Sequence, residues 1–209
     1  MNFDKINEGI SKGNVSLVKE GVNELLATDI KPMDIIDKGL MVAMNEVGVR
    51  FKNGDMFVPE VMMSAKALHS GLEIVKPLLS VGENISKGTI LIGTVRGDLH
   101  DIGKNLVAMM LESSGFNVIN MGVDISEEKF IEAIQEHKPD IVGMSALLTT
   151  TMPAMESTIK AITDAGLRDQ VKIIIGGAPV NAKFAEEIKA DGYSDDAQEA
   201  VTLCEKLLS

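Results

Sequence analysis

The chain has 209 residues, 45% hydrophobic and 24% charged, with a formal net charge of −11. That is enough apolar content for a real core in one large domain or two small ones, and the acidic balance speaks against nucleic acid or an anionic membrane as partner, since both reward basic patches. The single cysteine, Cys204, excludes an intramolecular disulfide and a thiolate metal cage, and no apolar run reaches signal-peptide or membrane-span length, which points to a cytoplasmic protein.

Residues 1 to about 80 read as helices only. After "NFDKINEGI", Asn14 precedes "VSLVKEGVNELL", with Val18, Val22 and Leu25 on one face. Pro32 and Asp34 open a run carrying Ile35, Ile36, Leu40, Met44 and Val47. Pro59 sits where a first helical turn tolerates proline. It introduces a run carrying Met62, Ala65, Leu68, Leu72 and Val75. These i, i+3, i+4 patterns predict about four helices, enough for a small bundle. The 13 methionines read first as adaptable core filler, and alternatively as a soft apolar surface. "SVGENISKG" (80–88) is polar, lacks periodicity and reads as a linker.

After the linker, strands alternate with helices. "GTILIGTV", "NVINMGV", "DIVGMSA" and "VKIIIGG" are short β-rich runs, with a weak fifth strand near Gly192 and Tyr193. Helices are predicted from Ile102 to Ser114, after the cap Ser126, from Pro153 to Ala165, over "NAKFAEEIKADG", and over "DDAQEAVTLCEKLL", where Cys204 reads as a small buried hydrophobe. Such alternation gives βαβ units and a parallel sheet. The expected architecture is a helical bundle over residues 1–85 followed by a flavodoxin-like doubly wound sheet over 86–209, strand order 2-1-3-4-5.

Ligands bind such sheets at the carboxyl ends of the strands, near the switch in strand order. The unusual sequence falls at those ends: "RGDLHDIG" after the first strand, "SALLTTT" after the third and "GGAP" after the fourth. His100 offers an imidazole ligand, and a ligating histidine usually gives its other N–H to a carboxylate. Asp98 and Asp101 are both near enough in sequence. "DLHD" cannot supply the three or four ligands of a bare-ion site. A metal bound by His100 would therefore arrive with most of its coordination sphere filled, as in a macrocycle. Gly176 and Gly177 permit close backbone approach. Ser145, Thr149, Thr150 and Thr151 offer hydroxyls, Thr151 also being a good cap for the next helix. His69 and His137 fall on predicted helices, with minor structural parts. Neither a P-loop nor a dinucleotide fingerprint is present.

Together, "DLHDIG" (98–103), "SAL" (145–147) and "GG" (176–177) resemble the Asp-x-His-x-x-Gly, Ser-x-Leu, Gly-Gly signature of cobalamin-binding domains. "NEVGVRFKNGDMFVPEVMMSAKAL" is similar to the cap segment that precedes that domain in methionine synthase. The resemblance covers nearly the whole chain and is nearest to the small corrinoid proteins that serve separate methyltransferases. It implies that His100 is the lower axial ligand of cobalt, that Asp98 hydrogen-bonds His100, and that Thr151 stands where methionine synthase has the serine of that relay. Ser145 and Thr149 would contact the nucleotide tail of cobalamin. Leu147, Gly176 and Gly177 would shape its slot, and Ala197 would be a further contact. Gly97, Leu99, Asp101 and Gly103 complete the loop beneath the cofactor. In the cap, Phe51 and Val58 match residues that shield the upper face of cobalt, and Asp37 stands where methionine synthase has a glutamate.

The implied function is that of a methyl carrier. Cobalt(I) accepts a methyl group from a substrate-specific methyltransferase, and the resulting methylcob(III)alamin hands it to a second methyltransferase with a pterin or thiol acceptor. A reductive activase is a further implied partner. The donors of such systems are methylamines, methanol, betaines or methoxyaromatics. Two other classes share the signature. A mutase subunit usually lacks such a cap and needs a barrel partner. A cobalamin-sensing regulator would carry a basic DNA-binding segment, which is absent here.

Overall fold

The computed structural model describes residues 3–79 and 86–209. Most of the expected linker, residues 80–85, lies outside the described residues. The chain divides into two compact units, Met1–Ile85 with Ser113–Gly115, and Ser86–Glu112 with Phe116–Ser209.

The first unit is helical: α1 (Asp4–Ser11), α2 (Val15–Leu26), α3 (Pro32–Ile35), α4 (Met41–Lys52) and α5 (Val58–Val75). Asn14 caps α2 by accepting the Leu17 N–H at 3.1 Å, which satisfies one of the donors that a helix start leaves open. The run expected as one helix from Pro32 is interrupted by a π turn over Ile36–Leu40. Periodicity does not reveal it, because one extra residue per turn still leaves Ile35, Ile36 and Leu40 buried. In α5, Glu60 reaches back to accept the Phe57 N–H at 2.8 Å. The buried stripe of α5 runs through Val61, Ala65, Leu68, Leu72 and Val75. Met62, expected on that stripe, is 55% exposed. The small residues Ser64 and Gly71 join the buried face, and Val61 takes the inner position in place of Met62. Both readings of the methionines hold in part: Met44, Met56, Met110, Met144 and Met155 are core residues, whereas Met62 and Met63 are exposed.

The second unit alternates strand and helix: β1 (Thr89–Thr94), α6 (Ile102–Ser113), β2 (Asn117–Asn120), α7 (Glu127–His137), β3 (Ile141–Ser145), α8 (Met152–Asp164), β4 (Lys172–Gly176), α9 (Ala182–Glu187), β5 (Gly192–Tyr193) and α10 (Ala197–Leu207). The sheet order is β2-β1-β3-β4-β5, and all pairs are parallel. Isoleucine and valine dominate the central strands because both faces are covered. On one face, Leu91, Val142, Ile173 and Ile175 pack with Phe130 and Ile134 of α7 and with Met155, Ile159 and Ile162 of α8. Cys204 is buried in α10, and burial pushes its thiol up to about 12. The register sets Thr94, Ser145 and Gly176 side by side at the carboxyl ends of β1, β3 and β4. That row includes the reversal in strand order, between β1 and β3.

Candidate corrinoid site

The loop from Val95 to Asp101 leaves the end of β1. The Val95 N–H still bonds the Ser145 carbonyl at 3.0 Å, and the Asp98 N–H then closes a turn onto the Val95 carbonyl at 3.1 Å. Gly97 bends the turn with φ +80°, a conformation that costs glycine little. The turn drives the Asp98 side chain inward, where it is fully buried. Its Oδ1 accepts the His100 backbone N–H at 3.0 Å and bonds His100 Nδ1 at 2.7 Å. Its Oδ2 accepts the Leu147 N–H at 2.7 Å. Thr151 Oγ1 stands 2.7 Å from the same oxygen and 2.9 Å from the Leu148 carbonyl. Of these two acceptors the carboxylate makes the stronger bond with the one hydroxyl proton.

Burial opposes the charge on Asp98. The bonds from Thr151, Leu147 and the His100 backbone and ring outweigh it and hold the carboxyl well below the usual carboxylate range. An ionised carboxylate only accepts hydrogen bonds. The proton in the Asp98–His100 bond therefore sits on Nδ1, and Nε2 is the ring nitrogen that could hold a metal. The geometry selects Asp98 over Asp101, whose Oδ2 instead accepts from Asn105 Nδ2 at 2.9 Å. It also gives Thr151 a different part from the helix cap: the residue precedes α8 but makes no side-chain capping bond.

The neighbours of Asp98 come from the segment after β3, so two strand ends converge on one histidine. On that segment Leu147 is 43% exposed, and Thr149 is exposed. At the end of β4, Gly177 has φ +126°, and a Cβ there would lie 1.9 Å from the Ala146 carbonyl oxygen. Gly176 pairs with Ser145 across the strands. Ala197 is buried at the start of α10, behind the Asp196 cap, whose Oδ1 accepts the Glu199 N–H at 2.7 Å. Asp37, Phe51 and Val58 belong to the helical unit: Asp37 is exposed on the π turn, Phe51 is half-buried near the end of α4, and Val58 is half-buried at the start of α5. Sequence reasoning missed Thr94, buried at the end of β1, whose Oγ1 donates to the His100 carbonyl at 3.0 Å. A hydroxyl at the carboxyl end of an apolar run was the signal.

The donor set suits a metal that brings its own macrocycle. Among the described residues no group of three His, Cys, Asp or Glu side chains could hold a bare ion. His100 supplies one nitrogen on a half-exposed ring. Leu99 is 71% exposed and Ile102 81% exposed, which leaves apolar surface around the ring for a large flat ligand to cover. A Cβ on Gly103 would meet nothing within 4 Å.

The sequence matches the B12 binding domain family over residues 88–202, and a second B12 binding domain family over residues 3–76. The chain belongs to the B12-binding corrinoid proteins. Like its family, this corrinoid protein binds cobalamin. It is 46% identical to dimethylamine corrinoid protein 1 of Methanosarcina acetivorans over 87% of this chain and 85% of that protein. With the trimethylamine corrinoid protein of Methanosarcina barkeri it shares 41% identity over 94% of this chain and 92% of that one. Among solved structures, the methanol:cobalamin methyltransferase complex MtaBC from Methanosarcina barkeri superimposes with a TM-score of 0.86 at 32% identity, covering 99% of this chain and 79% of that chain. No helix among the described residues is long and apolar enough to cross a membrane.

Proposed function

We propose that this corrinoid protein carries a methyl group from a methylamine-specific methyltransferase to a second methyltransferase with a pterin or thiol acceptor, with His100 as the lower axial ligand of cobalt. The observation that carries the reading is the buried Asp98 bonded to His100 Nδ1, which prepares Nε2 for a metal. The kinship to dimethylamine and trimethylamine corrinoid proteins supports the methylamine class. A reductive activase is a further proposed partner.

Bound cobalamin supplies the metal centre on which the methyl group travels. The chain does the rest. Asp98 fixes the tautomer and direction of the imidazole, and Thr151 with the Leu147 N–H keeps Asp98 ionised and in place. With Asp98 accepting at Nδ1, Nε2 is the atom through which His100 would hold the metal. Leu147, Ser145, Thr149, Gly176, Gly177 and Ala197 hold the nucleotide tail. Gly97, Leu99, Asp101 and Gly103 would be the contacts of the histidine loop with the cofactor, and Asp37, Phe51 and Val58 are proposed contacts of the helical unit.

The test is electron paramagnetic resonance of the cobalt(II) holoprotein. With nitrogen-15 histidine in the protein, the nitrogen splitting is expected to respond to the label in the wild type, whereas any splitting left in His100→Ala comes from the cofactor's own benzimidazole and ignores it. Wild-type splitting that ignores the label would remove His100 from the metal. Methyl transfer from a panel of methylamines, methanol, betaines and methoxyaromatics, with the matching methyltransferases, then tests the donor: turnover confined to another class overturns the methylamine assignment.

A further inference from the structure

One carboxylate beside the histidine loop has no part in the scheme above. Asp124 follows β2 and has φ +52°, a left-handed backbone that few residues with a Cβ adopt. Asp and Asn tolerate it best, because their short side chains bond nearby backbone. Here the side chain bonds the histidine loop. Asp124 Oδ1 accepts the Gly97 N–H at 2.7 Å, and the Asp124 N–H donates to the Asp98 carbonyl at 3.0 Å. The two bonds grip Gly97 and Asp98 from the β2 side. The Asp98 side chain grips the same loop from the β3 side, through Leu147 and Thr151.

The segment that carries Asp124 is itself anchored. Lys104 of α6 is 3% exposed, and its ammonium donates to Asn120 Oδ1 at 2.6 Å and Asn105 Oδ1 at 2.7 Å. Asn120 Oδ1 also accepts the Gly122 N–H at 3.1 Å. The Gly122 carbonyl takes the Thr94 N–H at 3.0 Å, and the Thr94 carbonyl takes the Ile125 N–H at 3.0 Å. Asp124 thus stands between two fixed points and reaches the loop with a strained but fully used residue. Its strain is at a place where the surroundings over-determine the backbone, the usual setting of such residues near a functional site.

We propose that Asp124 is a positioning residue for His100: by holding the Gly97 N–H and the Asp98 carbonyl it fixes the path of the loop on both sides of the Gly97–Asp98 bond, and so the direction in which Asp98 presents the imidazole. The proposal rests on the reading of His100 as the cobalt ligand. Losing Asp124 Oδ1 leaves the Asp98–Thr151 pair in place but frees the Gly97 peptide to turn, so the ligand is retained and its aim is lost.

Two substitutions separate the hydrogen bond from the backbone. Asp124→Gly keeps the left-handed conformation and deletes the acceptor. Asp124→Asn keeps both. In the cobalamin-free protein, amide exchange at Gly97 should quicken at least tenfold in Asp124→Gly and stay near the wild type in Asp124→Asn. With hydroxocobalamin, Asp124→Gly should bind about tenfold more weakly, the lower end of the usual cost of a lost supporting partner, and show less of the label-sensitive splitting in the cobalt(II) signal. Asp124→Asn should restore both. The proposal is overturned if Asp124→Gly matches the wild type within twofold in affinity and keeps the full label-sensitive splitting. It is also overturned if Asp124→Asn loses what Asp124→Gly loses, a comparison with the wild type that stands even where the glycine variant fails to fold. A wild type without splitting that depends on His100 defeats the ligand reading instead, while Gly97 exchange still reports on the brace.

Discussion

At the scale of single residues, Asp98 decides the chemistry. It is a buried anion surrounded by donors: two reach Oδ1 and two reach Oδ2. An amide in its place accepts at one end only. With its NH₂ at the Oδ2 position, Asp98→Asn strands the Leu147 N–H, while the Thr151 hydroxyl can turn its proton to the Leu148 carbonyl and accept from the amide. A stranded donor costs about 1–3 kcal/mol, and we expect the cobalamin-free variant to be less stable by about that much at pH 7 in urea unfolding. The pH dependence follows from the direction of the shift. A carboxyl held below its unfolded value contributes stability in full above the unfolded pKa of about 4, and loses it as pH falls toward the folded value. The gap between wild type and variant should therefore be constant from pH 7 to about 5 and narrow below pH 4. An equal gap at pH 3 would show that the charge on Asp98 contributes nothing. The pairing of Asp98 with His100 was open in the sequence, because Asp101 is as close along the chain. Only the turn at Gly97, which sends Asp98 inward, separates them.

At the scale of elements, the strand ends make the site and the glycines show how. Strands and helices of the second unit were legible because isoleucine-rich runs alternate with amphipathic ones, and the end of each strand is marked by a change to polar or glycine residues. The π turn at Ile36–Leu40 was not legible, since it alters hydrogen bonding without disturbing the apolar pattern. Met62 failed for a related reason: the buried face of α5 includes the small polar and glycine positions Ser64 and Gly71, which an apolar pattern does not count. The two glycine positions carry opposite expectations. Gly177 has φ +126° and no room for a Cβ beside the Ala146 carbonyl, so Gly177→Ala should cost about 3 kcal/mol or more. Gly103 lies in the first turn of α6 with open space around its missing Cβ. Alanine is the better helix former, by up to roughly 1 kcal/mol where a residue is fully helical. Gly103→Ala should therefore leave urea stability equal or improved while weakening cobalamin binding. A Gly103→Ala protein that binds cobalamin as well as the wild type would take Gly103 out of the site.

At the scale of the whole molecule, the change from helical to alternating grammar was plain in the sequence, whereas the supports of the histidine loop were not. Asp124, Lys104 and Thr94 reach it from different elements, and no local pattern announces partners that only the parallel order of β1, β2 and β3 brings together. Such a loop is made for a ligand that binds the folded chain alone, and binding then adds to stability by mass action. At a free cobalamin concentration 100 times the dissociation constant the gain is about 2.7 kcal/mol. For a unit of this size that raises the unfolding midpoint by on the order of 10 °C. Calorimetry with and without hydroxocobalamin should show this rise in the unit that holds His100, and His100→Ala should cut it at the same cofactor concentration. The proposed part of Asp37, Phe51 and Val58 has its own signature, a rise in the transition of the helical unit as well. A helical transition that ignores cobalamin would confine the site to the strand ends, because a residue that binds the cofactor cannot avoid sharing in its linkage.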